Sequence, residues 1–418
     1  MKRTFMTLML SSVVLFFHGF DIPAFCEEPV SLQKASEIFC RHNFDLLWSR
    51  FEIDKATGDY LAARAIPNPT FSSSYTAIEI GDGKLHLTDS CLLNLRLDQL
   101  LEMGGKRKKR VRAAQYALES ITFAHQDNIR KLLASFFVMY HTFLQDEWTL
   151  EFYQQELTDL NPLLAFAETK YAEKNLTAID YIKLHVSQIA LETALADAEN
   201  QVKNDREDFN FLLGGAGNYR PVRPHLEDEN FPSFSEAALL ARAQNRADFR
   251  STLSQVKAAE WGLKFEQSRR IPDICVGLEY DFLGARHLPA IGVGIALDLP
   301  LFDLNKGPIF QRKAELDQAK TNADMIQKQI AVDIRQALND YEASLKTLEA
   351  YKKRKEELLQ LKEKSREAFI RGELPVPDFL ESMDMYRNFM INYATTLIQC
   401  RLNHELVRLH AGDIRFTE

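Results

Sequence analysis

The residues able to attack a bond, hold a metal or relay a proton do not assemble in this sequence. There is no GxSxG, no HExxH and no phosphate-binding loop, and Gly104-Gly105-Lys106 lacks the spacing of a P-loop. The 10 histidines, among them His125, His141, His185 and His404, form no ligand cluster. Cys40, Cys91, Cys275 and Cys400 are far apart and make no CxxC pair, so they read as small apolar residues rather than as a metal or redox motif. What remains is fixed charge. Lys106-Arg107-Lys108-Lys109-Arg110, with Arg112, is a basic run, and Asp378 and Glu381 lie three apart, which on a helix puts them on one face. Fixed charge can sort and steer solutes without making or breaking bonds. The expectation is a protein that is not an enzyme and carries no cofactor.

The chain has 418 residues, 46% of them hydrophobic and 26% charged, which is enough for a large core. Its start differs in kind. Met1-Lys2-Arg3 is positive, Met6 to Phe17 is almost wholly apolar, and Ala24-Phe25-Cys26 puts small residues at −3 and −1 of a cut before Glu27. Residues 1–26 therefore read as a secretory signal, too short and wrongly flanked for an anchor. Lipidation of Cys26 is the alternative, against which Phe25 stands where a small residue is wanted. Loss of Lys2, Arg3 and Asp21 moves the net charge from −8 to −9, so nucleic acid is not an expected partner. After the signal no stretch reaches 18 apolar residues; Leu132 to Leu144 is broken by Ser135, His141 and Thr142. Any membrane crossing falls to strands.

The elements that must carry these charges follow a duplicated plan. Ser31-Leu32 with Ala35 and Asn43 recurs as Ser233-Phe234 with Ala237 and Asn245; Tyr171-Ala172 with Leu176 and Asp180 recurs as Phe369-Ile370 with Leu374 and Asp378; Gly214 recurs as Gly412. Residues 27–214 form the first repeat, 215–232 a linker holding Pro221, Pro224 and Pro232, and 233–418 the second repeat. Each repeat opens with a helix, followed by two strands and two helices. The strands, about 70–80, 85–101, 273–283 and 289–301, alternate apolar and polar residues: Leu93, Leu95 and Leu97 against Asn94 and Arg96, and Ile291, Val293 and Ile295 against Gly292 and Gly294. Hairpins are expected at Ile80 to Lys84 and Gly284 to His287. Lys106 to Asn161 and Ile309 to Arg371 lack Gly and Pro altogether. At ~1.5 Å per residue the second would span roughly 95 Å. Leu118, Ile121, Ile129, Leu132, Phe136, Tyr140 and Phe143 recur along the first at near-heptad spacing, which asks for coiled-coil neighbours.

Four strands cannot close a membrane barrel, since the smallest need about eight, and open edges in lipid would cost several kcal/mol per unpaired group. If these strands enter a membrane, identical chains must share one barrel. At this point the sequence resembles the outer-membrane efflux proteins of the TolC family over nearly the whole mature chain. Leu100-Leu101-Glu102-Met103-Gly104-Gly105-Lys106-Arg107 resembles the signature after its second strand. Leu299-Pro300-Leu301-Phe302-Asp303, followed by Asn305-Lys306-Gly307, resembles the counterpart in the other half. Phe369 to Leu380, with Gly372, Asp378 and Leu380 in place, resembles the helix-tip signature.

The resemblance implies a mainly α fold with a small β part. A homotrimer would share a twelve-stranded barrel in the outer membrane and continue below it as an α-barrel of long helices through the periplasm. A periplasmic adaptor (membrane fusion) protein and an inner-membrane RND or ABC pump would dock at the far end, and exit through the tube would be passive. The resemblance also implies roles. The turns Lys174, Asn175, Leu176 and Thr177, and Gly372, Glu373, Leu374 and Pro375, would meet the adaptor. Asp378 and Glu381 would ring the periplasmic aperture, and Asp180, in the first half, would be a latch partner of the gate. Some family members latch that aperture with a tyrosine and an arginine; the corresponding positions here, Phe369 and Leu374, cannot make those polar links. In the tube, Lys106 to Arg110 would sit at the membrane rim, facing outer-membrane lipid headgroups. The rival reading is a periplasmic coiled-coil scaffold or adaptor that never enters the membrane; the two-faced strands speak against it.

Overall fold

The computed structural model describes residues 28–81, 84–215, 217–222, 231–283 and 288–413. The expected signal with Cys26, both hairpin tips (Asp82-Gly83 and Gly284 to His287) and much of the linker, Pro224 included, lie outside the described residues. The first half runs β1 (Glu28–Val30), α1 (Leu32–His42), α2 (Phe44–Arg64), β2 (Thr70–Gly81), β3 (Lys84–Leu101), α3 (Lys106–Ala172) and α4 (Ala178–Leu212). After β4 (Tyr219–Pro221), the second runs α5 (Glu236–Ala243), α6 (Ala247–Ser268), β5 (Ile274–Leu283), β6 (Ala290–Leu297), α7 (Lys306–Arg371) and α8 (Val376–His410). The fold is mainly helical with a small sheet part.

Helix lengths set the long dimension. With 67 and 66 residues, α3 and α7 are each ~100 Å long, whereas the 35 residues of α4 and α8 return only ~52 Å. In the remaining stretch α2 and α6 take their place, packing on α3 and α7. Pro162 lies inside α3 without ending it, as a proline removes one donor while the flanking hydrogen bonds persist.

The returning helices end at corners built alike in both halves. Gly214 and Gly412 follow α4 and α8 with φ of 87° and 85°, the left-handed region a side chain resists. A Cβ at Gly214 would stand 2.8 Å from both Cβ and the carbonyl of His42. Asn43 turns the chain between α1 and α2: its Oδ1 caps Asp45 and Leu46 at 3.1 and 3.2 Å, and its amide donates to the Leu212 carbonyl at 3.2 Å. In the second half the cap on the His410 carbonyl comes from Arg246, at 3.1 Å, with the guanidinium held by Asp248 (2.6 Å) and Asp333 (3.0 Å). The sequence pairing of Asn43 with Asn245 is therefore off by one: the structural equivalent is Arg246, whose different chemistry hides the match. Next to the first corner lies an aromatic core of Phe39, Phe136, Phe137, Tyr140, Phe143 and Phe209, with Phe39 and Phe136 stacked at 4.6 Å. Here β1 and β4 pair in parallel, a two-stranded sheet with no signal in the sequence. The Tyr140 hydroxyl donates to the Val30 carbonyl at 3.2 Å. Cys400 is buried as expected of a small apolar residue, but Cys40 is exposed on α1.

The second sheet is antiparallel throughout, in the order β2-β3-β5-β6. Its last strand stops at Leu297, short of the expected 301, as the chain turns at Leu299 to Leu301 beside Pro300. The register sorts the two faces. Phe71, Leu97, Leu278 and Val293 share one row, and Ser72, Arg96, Glu279 and Gly292 the next. One face is thus apolar and the other polar or small, and the apolar face is bare: Ile291, Val293 and Ile295 are 82%, 70% and 68% exposed. Among the described residues no helix is long and apolar enough to cross a membrane.

Between α3 and α4 the Asp146 carboxyl lies against that of Asp205. Burial, with Asp205 adjacent, pushes Asp146 up to about 7. Asp205 Oδ2 is buried with no donor among the described residues, so a proton on Asp146 is what can satisfy it. Because the folded pKa exceeds the ordinary 3.8, the folded form holds the extra proton between those values. Stability falls as pH rises through that window. Asp146→Asn, which keeps an N–H donor at every pH, is expected to flatten the dependence of the melting temperature between pH 5 and 8. It should gain on the order of 1 kcal/mol at pH 8, the half-exposed site being discounted for screening. An unchanged pH profile would contradict the shared proton.

Candidate functional site

Both helical hairpins turn at the end farthest from the sheet, and the two turns are copies of each other. Lys174 and Gly372 adopt φ of 63° and 77°, and the interval between them also separates Asp180 from Asp378 and Gly214 from Gly412. Asn175 N–H donates to the Lys170 carbonyl at 2.8 Å, and Glu373 N–H donates to the Ala368 carbonyl at 2.9 Å. Glycine takes this conformation freely in the second turn, whereas Lys174 bears it at a steric cost in the first. Thr177 and Pro375 then begin α4 and α8. The two turns flank one cleft of about 370 Å³, lined by Asn175, Leu176 and Asp180 on one side and Gly372 to Pro375 on the other. Lys174 and Thr177 are exposed at its edge.

Asp180 enters this cleft tied to its own helix start: Thr177 Oγ1 donates to its carboxylate at 2.8 Å, and its N–H donates back to Thr177 Oγ1 at 3.1 Å. Lys183 lies 3.7 Å away. Asp378 and Glu381 stand on the first turns of α8, both exposed, and neither forms an ion pair among the described residues. The structure therefore brings Asp180 to the second turn and leaves Asp378 and Glu381 on an outer face. Behind the cleft the apolar positions close up. Phe369 is buried, stacks on Phe379 at 4.5 Å and meets Phe166 edge-on at 6.1 Å.

A junction that the sequence did not disclose lies just above. Lys362 of α7 donates to Glu156 and Asp159 of α3, both at 2.8 Å, and its ammonium lies 4.7 Å from the Tyr386 ring centroid on α8. Burial alone would lower the Lys362 pKa, but its two carboxylate partners leave it raised. Burial alone would raise that of Asp159, but hydrogen bonds from Lys362 and Gln155 leave it lowered. The partners are far apart in sequence, and Lys362 sits in a heptad tract where a lysine ordinarily faces solvent. No local pattern marks it.

At the opposite end the basic run is largely engaged within the chain. Lys106 is buried against Asp273 at 2.8 Å. Arg107 donates twice to the Arg64 carbonyl (2.9 and 2.7 Å), and Arg110 donates to the carbonyls of Ala63 and Ala65 and pairs with Glu102. Lys109 donates to the Gly104 carbonyl at 3.1 Å, and Lys108 is exposed. These cations occupy the start of α3, where the helix dipole opposes them, yet Arg107 and Arg110 satisfy the orphan carbonyls at the end of α2, where it favours them.

Comparison with known proteins places this architecture. The family model described as "Outer membrane efflux protein" matches residues 39–215. The chain is 26% identical over 321 residues to the cobalt-zinc-cadmium resistance protein CzcC of Cupriavidus metallidurans, a match covering 72% of this chain and 70% of that one. Among solved structures, a membrane protein from Pseudomonas aeruginosa superposes with a TM-score of 0.79 at 14% identity, covering 91% of this chain and 92% of that one. The Campylobacter jejuni CmeC outer membrane channel gives 0.79 at 13% identity, covering 91% and 85%. At such identities the structural likeness concerns the fold.

Proposed function

We propose that this chain is an outer membrane efflux protein, standing in the outer membrane and reaching into the periplasm, and one of three identical subunits of an efflux outlet; the family model over residues 39–215, the likeness to CzcC and the shared fold support this reading. The observation that carries the reading is the four-stranded sheet. It has one apolar face, one polar face and two open edges, β2 and β6. Pairing β6 of one copy with β2 of the next satisfies those edges, and three copies give a twelve-stranded ring with its apolar face to lipid and its polar face to water. Bare Ile179, Ile182, Val186 and Ile189 on α4, spaced three and four apart, support side-by-side packing of helices between copies.

In this reading the paired turns at the helical end receive a periplasmic adaptor, whose inner-membrane pump supplies the driving force. The exposed Lys174, Asn175 and Thr177 and Gly372, Glu373 and Pro375, with Leu176 and Leu374 half-buried beneath them, form the docking surface. Asp378 and Glu381, multiplied by three, gather at the aperture and, with Asp180 nearby, favour cations. Likeness to CzcC supports the same class of cargo. The exposed Lys108, rather than the whole basic run, faces the lipid headgroups. The decisive measurement is the mass of the detergent-extracted protein, with its membrane fraction assigned. Three times the protomer mass, in outer membranes, is expected; lone protomers in the soluble periplasm would overturn the proposal and restore the scaffold reading.

A further inference from the structure

The polar face of the sheet holds an arrangement that the efflux reading does not use. Arg96 stands in register with Glu279 and Gly292, and the next row is Asp98, Gly277 and Gly294. The Arg96 side chain does not rise from the sheet. Its Nε lies 2.9 and 2.8 Å from the two oxygens of Asp98, and Nη1 lies 3.6 Å from Glu279. Its Nη2 crosses β5 toward β6, 3.1 Å from where a Cβ on Gly277 would stand and 3.5 Å from where one on Gly294 would stand. Neither glycine has a positive φ, so backbone conformation does not require them. At Gly277 the missing side chain leaves room that the Asp98 carboxylate and the guanidinium share; at Gly294 a Cβ alone would just touch the guanidinium, and a larger side chain would press on it. The neighbouring row is also polar, with the Asn94 amide donating to Asp281 at 2.6 Å. The flanking positions, Ser72 and Ser74 on β2 and Ala290 and Gly292 on β6, are small.

We propose that Arg96, laid flat by Gly277 and Gly294 and held by Asp98 and Glu279, tunes the charge preference of the barrel bore. This rests on the reading that the polar face lines the bore. Among the described side chains of this face, each chain then presents one guanidinium against the carboxylates of Asp98, Glu279 and Asp281, so this band of the wall is net negative. Because the cation lies along the wall between two of those carboxylates, it moderates their field without narrowing the passage. A side chain larger than a methyl at position 294 would lift the guanidinium off the wall into the water column, turning a moderator of cation preference into a barrier to cations.

The native thiol of Cys275 is a probe already in place. It is free, half-exposed and on the polar face, two residues from Gly277. Whole cells carrying the full chain are treated with membrane-impermeant thiol reagents, one cationic and one anionic, and modification of Cys275 is read by peptide mass spectrometry. The ratio of the two rates cancels the intrinsic reactivity of the thiol and reports the local potential. In the unaltered protein the cationic reagent is expected to react faster. Arg96→Ser should raise the ratio by on the order of threefold. Gly294→Val should lower it, and Arg96→Ser combined with Gly294→Val should return it to the level of Arg96→Ser alone. A ratio indifferent to Arg96→Ser overturns the proposal, as does a Gly294→Val effect that persists without Arg96, since that effect would be a distorted wall. Should Cys275 resist both reagents while Phe71→Cys, on the other face, reacts, the bore reading itself fails, which is a different outcome from failure of Arg96.

Discussion

Lys362→Met is expected to destabilise the helical end by about 3 kcal/mol, more than loss of any of the exposed ion pairs would. Glu156 and the lysine are 6% and 13% exposed at their side chains, so removing the ammonium leaves a desolvated carboxylate with nothing to offset it. Replacing all three charges, as in Lys362→Met with Glu156→Gln and Asp159→Asn, should recover most of the loss, because no unpaired ion is left behind. The same junction predicts its own pH limits. The lowered pKa of Asp159 contributes stability present above its ordinary value of 3.8 and lost as pH falls through the folded value. The raised pKa of Lys362 contributes stability present below 10.5 and lost as pH rises beyond it. Between these limits the contribution should be flat. Thermal unfolding in detergent across pH measures both; a Lys362→Met protein that melts with the parent would mean the junction is not closed in solution.

Neutralising Asp378 and Glu381 together, as Asn and Gln, should reduce the cation-over-anion permeability of reconstituted channels several-fold while leaving melting temperature and trimer mass unchanged. The separation of effects follows from position. Both side chains are exposed and outside the apolar closure formed by Phe166, Phe369 and Phe379, so they contribute little to folding. On the proposed trimeric reading, their field is concentrated where three copies meet at a narrow mouth. Reversal potentials in a salt gradient give the ratio. Unchanged selectivity would remove the gate assignment and shift attention to Asp180, which alone of the three lines the cleft between the turns.

Long-range order was legible in the sequence where it repeats. The alternation from Leu93 to Leu97 and from Ile291 to Ile295 gave the strands, and the Gly- and Pro-free tracts gave the rods, because periods of two and of about three and a half follow directly from backbone geometry. The turn glycines Gly214, Gly372 and Gly412 were legible for the same local reason. Pairings across the fold were not. Arg246 does in one half what Asn43 does in the other, and a polar side chain reaching a distant carbonyl has no fixed residue type. Lys362 meets α3 only because two hairpins are packed together. The basic run looked like a surface feature, since nothing near it in sequence announces that the end of α2 returns to within hydrogen-bonding reach.

The unpaired rims of the sheet also dictate an order of events in biogenesis. The hairpins α3–α4 and α7–α8 join neighbours along the chain and can fold in water as soon as a protomer is exported. Strands β2 and β6 each have one side that no described segment of their own chain completes. On the shared-barrel reading, insertion must await encounters between copies, and its rate should depend steeply on how much newly exported protein is present. Scarce synthesis would then leave helical intermediates waiting in the periplasm, soluble and exposed to proteases, rather than a proportionally smaller number of finished pores.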